Sequence, residues 1–297
     1  MAQQEPTDGG AGRPAAVRGA TWMLASVLCL LGMAIGAREL SATMSSVEIL
    51  SFRAIVGVVV MFPLLLRSGW PAFRTHQFHW HAGRSVLQFA AQFAWVFGIG
   101  ILPLAEITAL EFTIPLWAAP IAILFLGERM GIHKSIAALL GFAGILVILR
   151  PGIAVVSPAA LVVLAGCLAF AATGVLMKHL ARTEDPKLIV FYVNLIQLPM
   201  SLIPAAFIWV TPGWGDMPWV LLWGVGGLAA TYAMAKAMQL ADATLILPID
   251  FVRLPFAAFL GYLLYSEELA VWTAVGALTI FGANYYSVTR EARRSRS

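Results

Sequence analysis

Long apolar stretches separated by short polar or charged breaks are the main pattern along this chain. Matching apolar runs to their Pro, Gly and charged boundaries predicts ten membrane-spanning helices. They cover residues 20–37, 46–66, 82–101, 103–126, 132–149, 158–177, 187–210, 217–239, 243–265 and 269–289. A transmembrane β-barrel would alternate in polarity, whereas Leu161 to Leu176 is apolar without alternation. We therefore expect an all-α integral membrane protein.

Composition agrees with this interpretation and excludes a large soluble domain. Of the 297 residues, 60% are hydrophobic and 11% are charged, against roughly 25% charged in soluble domains. Ten crossings of about 20 residues each would use about 200 residues. Cys29 and Cys167 lie inside apolar stretches, so we expect two buried thiols and no disulfide framework.

The distribution of Lys and Arg predicts the orientation in the membrane. With a cytoplasmic N-terminus, fourteen basic residues fall in inside segments and only Arg38 and Arg150 in outside segments. Positively charged loops favour the cytoplasm, so we expect both termini there and the cell inner (plasma) membrane as the location. Residues 1–19 lack apolar periodicity and predict a disordered cytoplasmic tail, and residues 290–297 a basic one.

An internal repeat organises the chain. Shifting the sequence by 139 residues aligns several pairs, among them Phe52 with Phe191, Glu111 with Asp250, and Glu128 with Glu267. The repeats are predicted at residues 20–150 and 157–289. Because each contains five helices, an odd number, the second must enter the membrane in the opposite sense. Inverted repeats are a transporter architecture in which substrate is handled where the halves meet.

Motifs in and after the fourth span, repeated in the ninth, carry a resemblance to a known family. Ile114-Pro115-Leu116-Trp117 and Leu126-Gly127-Glu128-Arg129 precede a Gly-rich helix, and Leu254-Pro255-Phe256 and Tyr265-Ser266-Glu267 repeat the scheme. This pattern resembles the EamA family of the drug/metabolite transporter superfamily. The resemblance implies a ten-helix transporter of small metabolites, with export of amino acids or related compounds as a frequent activity. Ser266 departs from the pattern, which has Gly at that position.

Four ionisable residues fall well inside predicted spans: Arg53, Glu111, Asp250 and Arg253. Buried charges in membranes tend to face a cavity or a partner. Asp250 and Arg253 are three residues apart and share a helix face. They either neutralise each other in the core or line a cavity and contact a charged substrate or a proton, and the same two interpretations apply to Arg53 and Glu111.

Other polar and aromatic positions have plainer interpretations. Trp95, Tyr192 and Tyr232 lie mid-span, where they contact either a cationic or amphipathic ligand or only their neighbours. Glu106 is one turn into its span, and snorkelling to the interface explains it. Glu128 and Glu267 stand at helix ends, where capping or loop contacts are expected. The prolines of the fourth and ninth spans interrupt helical hydrogen bonding and predict either hinges or static kinks.

No metal, cofactor or nucleic-acid site is expected. His76, His79 and His81 form a His-x-x-His-x-His run, but Phe78 and Trp80 between them suit an interfacial loop better than a metal site. The chain lacks the motifs of zinc proteases, serine hydrolases and phosphate-binding loops. Nucleotide hydrolysis on this chain is therefore excluded.

We accordingly predict a secondary transporter for a small polar or amphipathic metabolite, working by alternating access in the lipid bilayer. Charges of both signs in the spans fit a zwitterion such as an amino acid. Glu111 or Asp250 could couple transport to protons, because desolvation favours the neutral form of a carboxyl group. A membrane-embedded enzyme acting on a lipid-like substrate, or a channel, is the alternative. Cargo, direction, coupling and oligomeric state stay open.

Overall fold

The predicted spans appear as a set of α-helices. The computed structural model of the chain describes residues 12–126, 132–150, 157–180, 183–240, 249–268 and 270–294, and in these ranges all regular secondary structure is helical. The helices are α1 (Gly12–Ser41), α2 (Ser46–Leu66), α3 (Phe78–Ile99), α4 (Leu104–Glu111), α5 (Ile114–Leu126), α6 (Ile132–Leu149), α7 (Pro158–Leu180), α8 (Pro186–Ala206), α9 (Met217–Leu240), α10 (Arg253–Tyr265) and α11 (Val271–Arg294). The prediction of an all-helical fold is confirmed for these residues.

Several of these helices have the length and composition of membrane spans. Among the described residues, five are long and apolar enough to cross a bilayer: Val17–Ser41, Ser46–Leu66, Pro158–Met177, Pro186–Ala206 and Met217–Leu240. Residues Ile136–Leu149 form a shorter apolar helix. Large apolar side chains such as Leu124, Leu139 and Phe207 are exposed on the outside of the bundle. A surface of this kind suits lipid better than water.

The sequence repeat is visible in the helix boundaries. Helices α3 and α9 begin 139 residues apart, and so do α6 and α11. Helices α5 and α10 both begin and end 139 residues apart. The offset found between single residues is therefore also the offset between complete structural elements.

Packing between corresponding helices shows that the second half is inverted relative to the first. Helices α2 and α8 occupy equivalent places in the two halves and pack together. Leu65 contacts Leu188 and Phe191, whereas Gly57, eight residues earlier on α2, lies against the side chain of Asn194, further along α8. Residue numbers therefore increase along α8 in the direction in which they decrease along α2, so the two helices are antiparallel. Corresponding helices that run antiparallel require inverted halves.

The two halves are interleaved. Helix α1 packs mainly on α9, and helix α7, its counterpart in the second half, packs mainly on α3, the counterpart of α9. Small residues allow these contacts: Gly36 of α1 lies against the backbone of Trp219 and Trp223, and Gly166 of α7 against Ala91 and Ala94. Close approach through small residues is typical of helices packed in membranes. The main apolar core consequently includes side chains from both halves.

The fourth and ninth spans, which the sequence analysis treats as single segments at 103–126 and 243–265, are interrupted. Helix α4 ends at Glu111 and α5 begins at Ile114, with a turn at Phe112 and Thr113. The second half has its turn at Phe251 and Val252, the equivalent positions, before α10; residues 243–248 lie outside the described ranges. Proline explains the first interruption, because Pro115 has no N–H for the carbonyl of Glu111.

We predict that Gly276 is required for the contact between α6 and α11. A Cβ atom at Gly276 would lie 2.6 Å from the carbonyl oxygen of Gly144, so Gly276→Ala should destabilise the fold by about 1–3 kcal/mol through overpacking. Gly282, on the same helix, has nothing within 4 Å of its Cβ position and provides the control. Thermal unfolding in detergent measures both. Equal melting temperatures for the two variants would contradict the contact.

Candidate functional site

The two interrupted spans meet at the centre of the bundle. The rings of Phe112 and Phe251 stack with their centroids 3.8 Å apart and their planes at 16°. These residues occupy equivalent positions in the two repeats, so their contact marks the place where the two halves meet. Phe281 packs on Phe251 with a centroid distance of 4.2 Å. Asn284 donates a hydrogen bond of 2.9 Å to the carbonyl of Phe112, which satisfies a backbone group freed by the turn.

A buried arginine lies beside this contact, with its guanidinium carbon 5.0 Å from the centre of the Phe112 ring. Arg253, the first residue of α10, has Nη1 3.1 Å from Oε2 of Glu111, the last residue of α4. Its Nε is 3.9 Å from Oδ1 of Asp250. The three side chains are between 11% and 18% exposed, so the charges lie in a poorly solvated environment. The predicted contact between Asp250 and Arg253 is present, but Glu111 is the closer partner.

The repeat explains why two acids share one arginine. Glu111 and Asp250 occupy equivalent positions, whereas the position equivalent to Arg253 is Ile114. Asp250 Oδ1 and Arg253 Nε make no hydrogen bond, so that contact is purely electrostatic. With both carboxylates ionised, the group has one negative charge more than it has positive charge. Such an excess favours binding of a cation or a proton.

A small cavity adjoins the acid–arginine group. Its volume is about 20 Å³, and α1, α3, α4 and α10 form its walls. Polar or aromatic wall residues include Trp95, Thr108, Glu111 and Arg253; Ile107 and Ala257 are among the apolar ones. A cavity of this volume holds about one water molecule. A metabolite can therefore enter only if the surrounding helices separate.

Arg53 lies apart from the acids. Its guanidinium carbon is 5.5 Å from the centre of the Trp223 ring, and no acidic side chain among the described residues forms a salt bridge with it. Trp223 stacks on Trp95 with centroids 5.9 Å apart and planes at 15°. Arg53 thus connects to the cavity wall through two aromatic rings. Within the described part of the chain, the contact that compensates its charge is the cation–π contact with Trp223.

Trp223 is a site residue that sequence reasoning missed. It is 1% exposed, and its indole N–H donates a hydrogen bond of 2.8 Å to the carbonyl of Ile49. The available signal was its position, since Trp223 lies well inside a predicted span and not at an interface, where tryptophan usually lies in membrane proteins.

The other aromatic candidates lie away from the cavity. The Tyr192 hydroxyl donates to the carbonyl of Phe73, and its ring lies 4.8 Å from that of His81. Tyr232 is 58% exposed and meets Trp22 edge-on. Of the seven predicted site residues, the structure thus brings together Glu111, Asp250, Arg253 and Trp95. Arg53 is joined to them through Trp223.

Comparison with known proteins identifies a family. The protein-family model for the EamA-like transporter family matches residues 17–150 and 157–289. The first match contains most of α1 and helices α2 to α6, and the second contains α7 to α10 and most of α11. The two matches therefore correspond to the inverted halves.

Curated relatives cover nearly the whole chain. The S-adenosylmethionine uptake transporter of Rickettsia bellii is 24% identical over 93% of this chain and 94% of the relative. The riboflavin transporter of Vibrio cholerae is 29% identical over 95% of this chain and 97% of the relative. The riboflavin transporter of Rhizobium johnstonii is 31% identical over 79% of this chain and 78% of the relative. A solved crystal structure of a protein 19% identical in sequence superposes with a TM-score of 0.64. The match covers 96% of this chain and 99% of the other protein's chain. This last likeness supports the fold alone.

Proposed function

The chain belongs to the EamA-like transporter family, and on that premise we propose that it carries a small polar or amphipathic metabolite by alternating access, with Arg253 at its substrate site. Membership confirms the resemblance seen in the sequence, and the relatives are transporters, not enzymes. The enzyme alternative is therefore set aside. The observation that carries the proposal is one buried cation held between acids from both halves beside a cavity.

We also propose the membrane topology expected from the sequence. Helices α4 and α5 count as one interrupted span, and so does the segment that ends in α10, which gives ten spans. An even number of spans and the excess of Lys and Arg in the inside segments support cytoplasmic termini and an inner-membrane location. In this orientation the cavity lies on the outer side of Arg253.

The proposed cargo carries both a positive and a negative group. A cationic group of the cargo would neutralise the surplus negative charge of Glu111 and Asp250, and Arg253 or Arg53 would bind an anionic group. Trp95 offers an aromatic face in the cavity wall. The names of the relatives make S-adenosylmethionine and riboflavin the first compounds to test, beside amino acids.

The mechanism that we propose uses the two turns as hinges. The turns at Phe112 and Phe251 lie in equivalent spans and contact each other, so bending at one changes the packing of the other. Arg253 is 3.1 Å from Glu111 and 3.9 Å from Asp250, which allows the guanidinium to exchange its nearer acid as the halves move. Opening to one side would then accompany closing to the other.

Direction of transport follows from the gradients imposed on such a carrier. The family resemblance predicts export as a frequent activity, whereas the Rickettsia relative is named an uptake transporter. We propose a reversible carrier, which can transport its cargo in either direction. Measuring both uptake into and release from reconstituted vesicles tests this directly.

Counterflow in liposomes tests the transporter and its site together. Vesicles loaded with unlabelled S-adenosylmethionine, riboflavin or mixed amino acids should accumulate the matching labelled compound transiently and saturably. Asp250→Ala should reduce this exchange more than Glu106→Ala, because Asp250 faces Arg253 at 3.9 Å and Glu106 lies one turn from the start of its span. Equal, near-normal exchange by both variants would refute the site assignment.

Proton coupling makes a separate prediction. If Glu111 or Asp250 takes up a proton during the cycle, Glu111→Gln or Asp250→Asn should still exchange cargo across the membrane, because exchange requires no net proton movement. The same variant should not concentrate cargo when a pH difference is imposed. A carboxylate that only neutralises Arg253 predicts instead that folded yield and exchange fall together. Net flux of the unmodified protein that ignores the pH gradient would refute coupling.

A further inference from the structure

A second group of charges lies at the end of the molecule that the proposed topology places outside. Arg38, near the end of α1, has Nη2 2.9 Å from Oε1 of Glu267, just after α10. Their side chains are only 19% and 12% exposed. Arg38 falls in an outside segment of the predicted topology, but its side chain is largely enclosed by its partners rather than free in a loop.

Both residues of this pair also hold the backbone between α3 and α4. Arg38 Nη1 donates hydrogen bonds of 2.7 Å to the carbonyl oxygens of Ile99 and Leu102. Glu267 Oε2 accepts a hydrogen bond of 2.8 Å from the N–H of Leu104, the first residue of α4. A carboxylate at a helix N-terminus is stabilised by the free N–H groups there. The pair therefore joins three segments, two from the first half and one from the second.

A tyrosine strengthens the same connection between the halves. The Tyr265 hydroxyl, at the end of α10, donates a hydrogen bond of 2.8 Å to Oε1 of Glu39. The guanidinium carbon of Arg38 lies 5.0 Å from the centre of the Tyr265 ring. We call Arg38, Glu39, Tyr265 and Glu267 the outer latch.

The backbone after α10 is shaped to place Glu267 in the latch. Ser266 adopts the left-handed conformation with φ 54°, and the N–H of Glu267 donates to the carbonyl of Gly261. The Glu267 carboxylate then passes so close to Gly261 that a Cβ atom there would displace it. Left-handed backbone is unfavourable for serine by about 1–2 kcal/mol. Glycine adopts this conformation without that cost, which explains why the family pattern has Gly here, as at Gly127 in the first repeat. Ser266 departs from the pattern and still adopts the left-handed conformation.

The latch adjoins the cavity, and its arginine has no counterpart in the sequence of the second half. Ile99 and Leu104, whose backbone the latch holds, also line the cavity. In the repeat, Met177 and Lys178 occupy the positions equivalent to Arg38 and Glu39. The second half thus has no arginine at the Arg38 position with which to form the same salt bridge.

From this arrangement we infer that the outer latch keeps the cavity closed toward the outside and must release before the carrier opens on that side. The inference rests on the alternating-access function proposed above. It assigns the Arg38–Glu267 ion pair as the main contact to break and the Tyr265–Glu39 hydrogen bond as the second. Both contacts cross between the halves, so relative motion of the halves separates them.

Cysteine labelling tests the latch without any cargo. The probe is Ala257→Cys, at a cavity-lining position that is 1% exposed, in a protein with Cys29 and Cys167 replaced by Ala. The labelling rate with a membrane-impermeant maleimide is measured on intact cells and on purified protein in detergent. Glu267→Gln removes the charge but keeps an oxygen for the N–H of Leu104. Glu268→Gln, at an exposed neighbouring residue, is the matched control.

Glu267→Gln should raise the labelling rate roughly tenfold, the factor that corresponds to about 1.4 kcal/mol, and Glu268→Gln should leave it unchanged. Arg38→Gln combined with Glu267→Gln should add little to the single change, because both remove one ion pair. Tyr265→Phe, which removes only a hydroxyl, should give a smaller increase. Unchanged labelling in Glu267→Gln and Tyr265→Phe, with normal elution of both proteins, would overturn the latch. Absence of counterflow in the unmodified protein, with the labelling changes as expected, would instead count against the proposed transport function and leave the latch in place.

Discussion

A guanidinium in the interior of a membrane protein is costly unless acids or aromatic rings compensate its charge, and the centre of this fold depends on how Arg253 meets that constraint. Leaving Arg253 alone would cost at least about 3 kcal/mol on insertion scales. Its two acids come from different halves of the chain: Glu111 ends α4 and Asp250 precedes α10. Neutralisation therefore requires that the two interrupted spans meet. The stacked rings of Phe112 and Phe251 show that they do.

The inverted repeat explains both the symmetry of this centre and its departure from symmetry. The equivalent helices α2 and α8 run antiparallel and the equivalent turns touch, so each acid approaches the centre from its own half. The single arginine has Ile114 as its counterpart, and this leaves two carboxylates for one cation. Arg253 lies 3.1 Å from Glu111 and 3.9 Å from Asp250. One arginine between two acids is expected to lie nearer to one of them in a given conformation. A carrier that alternates between two states can make use of that inequality.

The sequence predicted best those features that depend on neighbouring residues or on the internal repeat. Apolar runs predicted the helices, the 139-residue offset predicted equivalent elements, and the cost of buried charge selected Glu111, Asp250 and Arg253. Contacts between distant segments were not predictable in this way. Glu111 and Arg253 are 142 positions apart, and only the meeting of two turns makes them the closer pair. Likewise, the sequence places Arg38 in an outside segment and gives no sign of its partner Glu267, which belongs to the other half. The role of Trp223 depends on its contacts with Trp95 and Arg53.

A double-mutant cycle on Glu111 and Arg253 tests the central claim most directly. The free energy of unfolding in detergent is measured for Glu111→Gln, Arg253→Gln and the double variant, with Glu106→Gln in place of Glu111→Gln as the control cycle. A buried pair joining the halves predicts that the double variant is less destabilised than the sum of the single variants by about 1–3 kcal/mol, while the control cycle is additive. Additive effects in the Glu111 cycle would contradict the account.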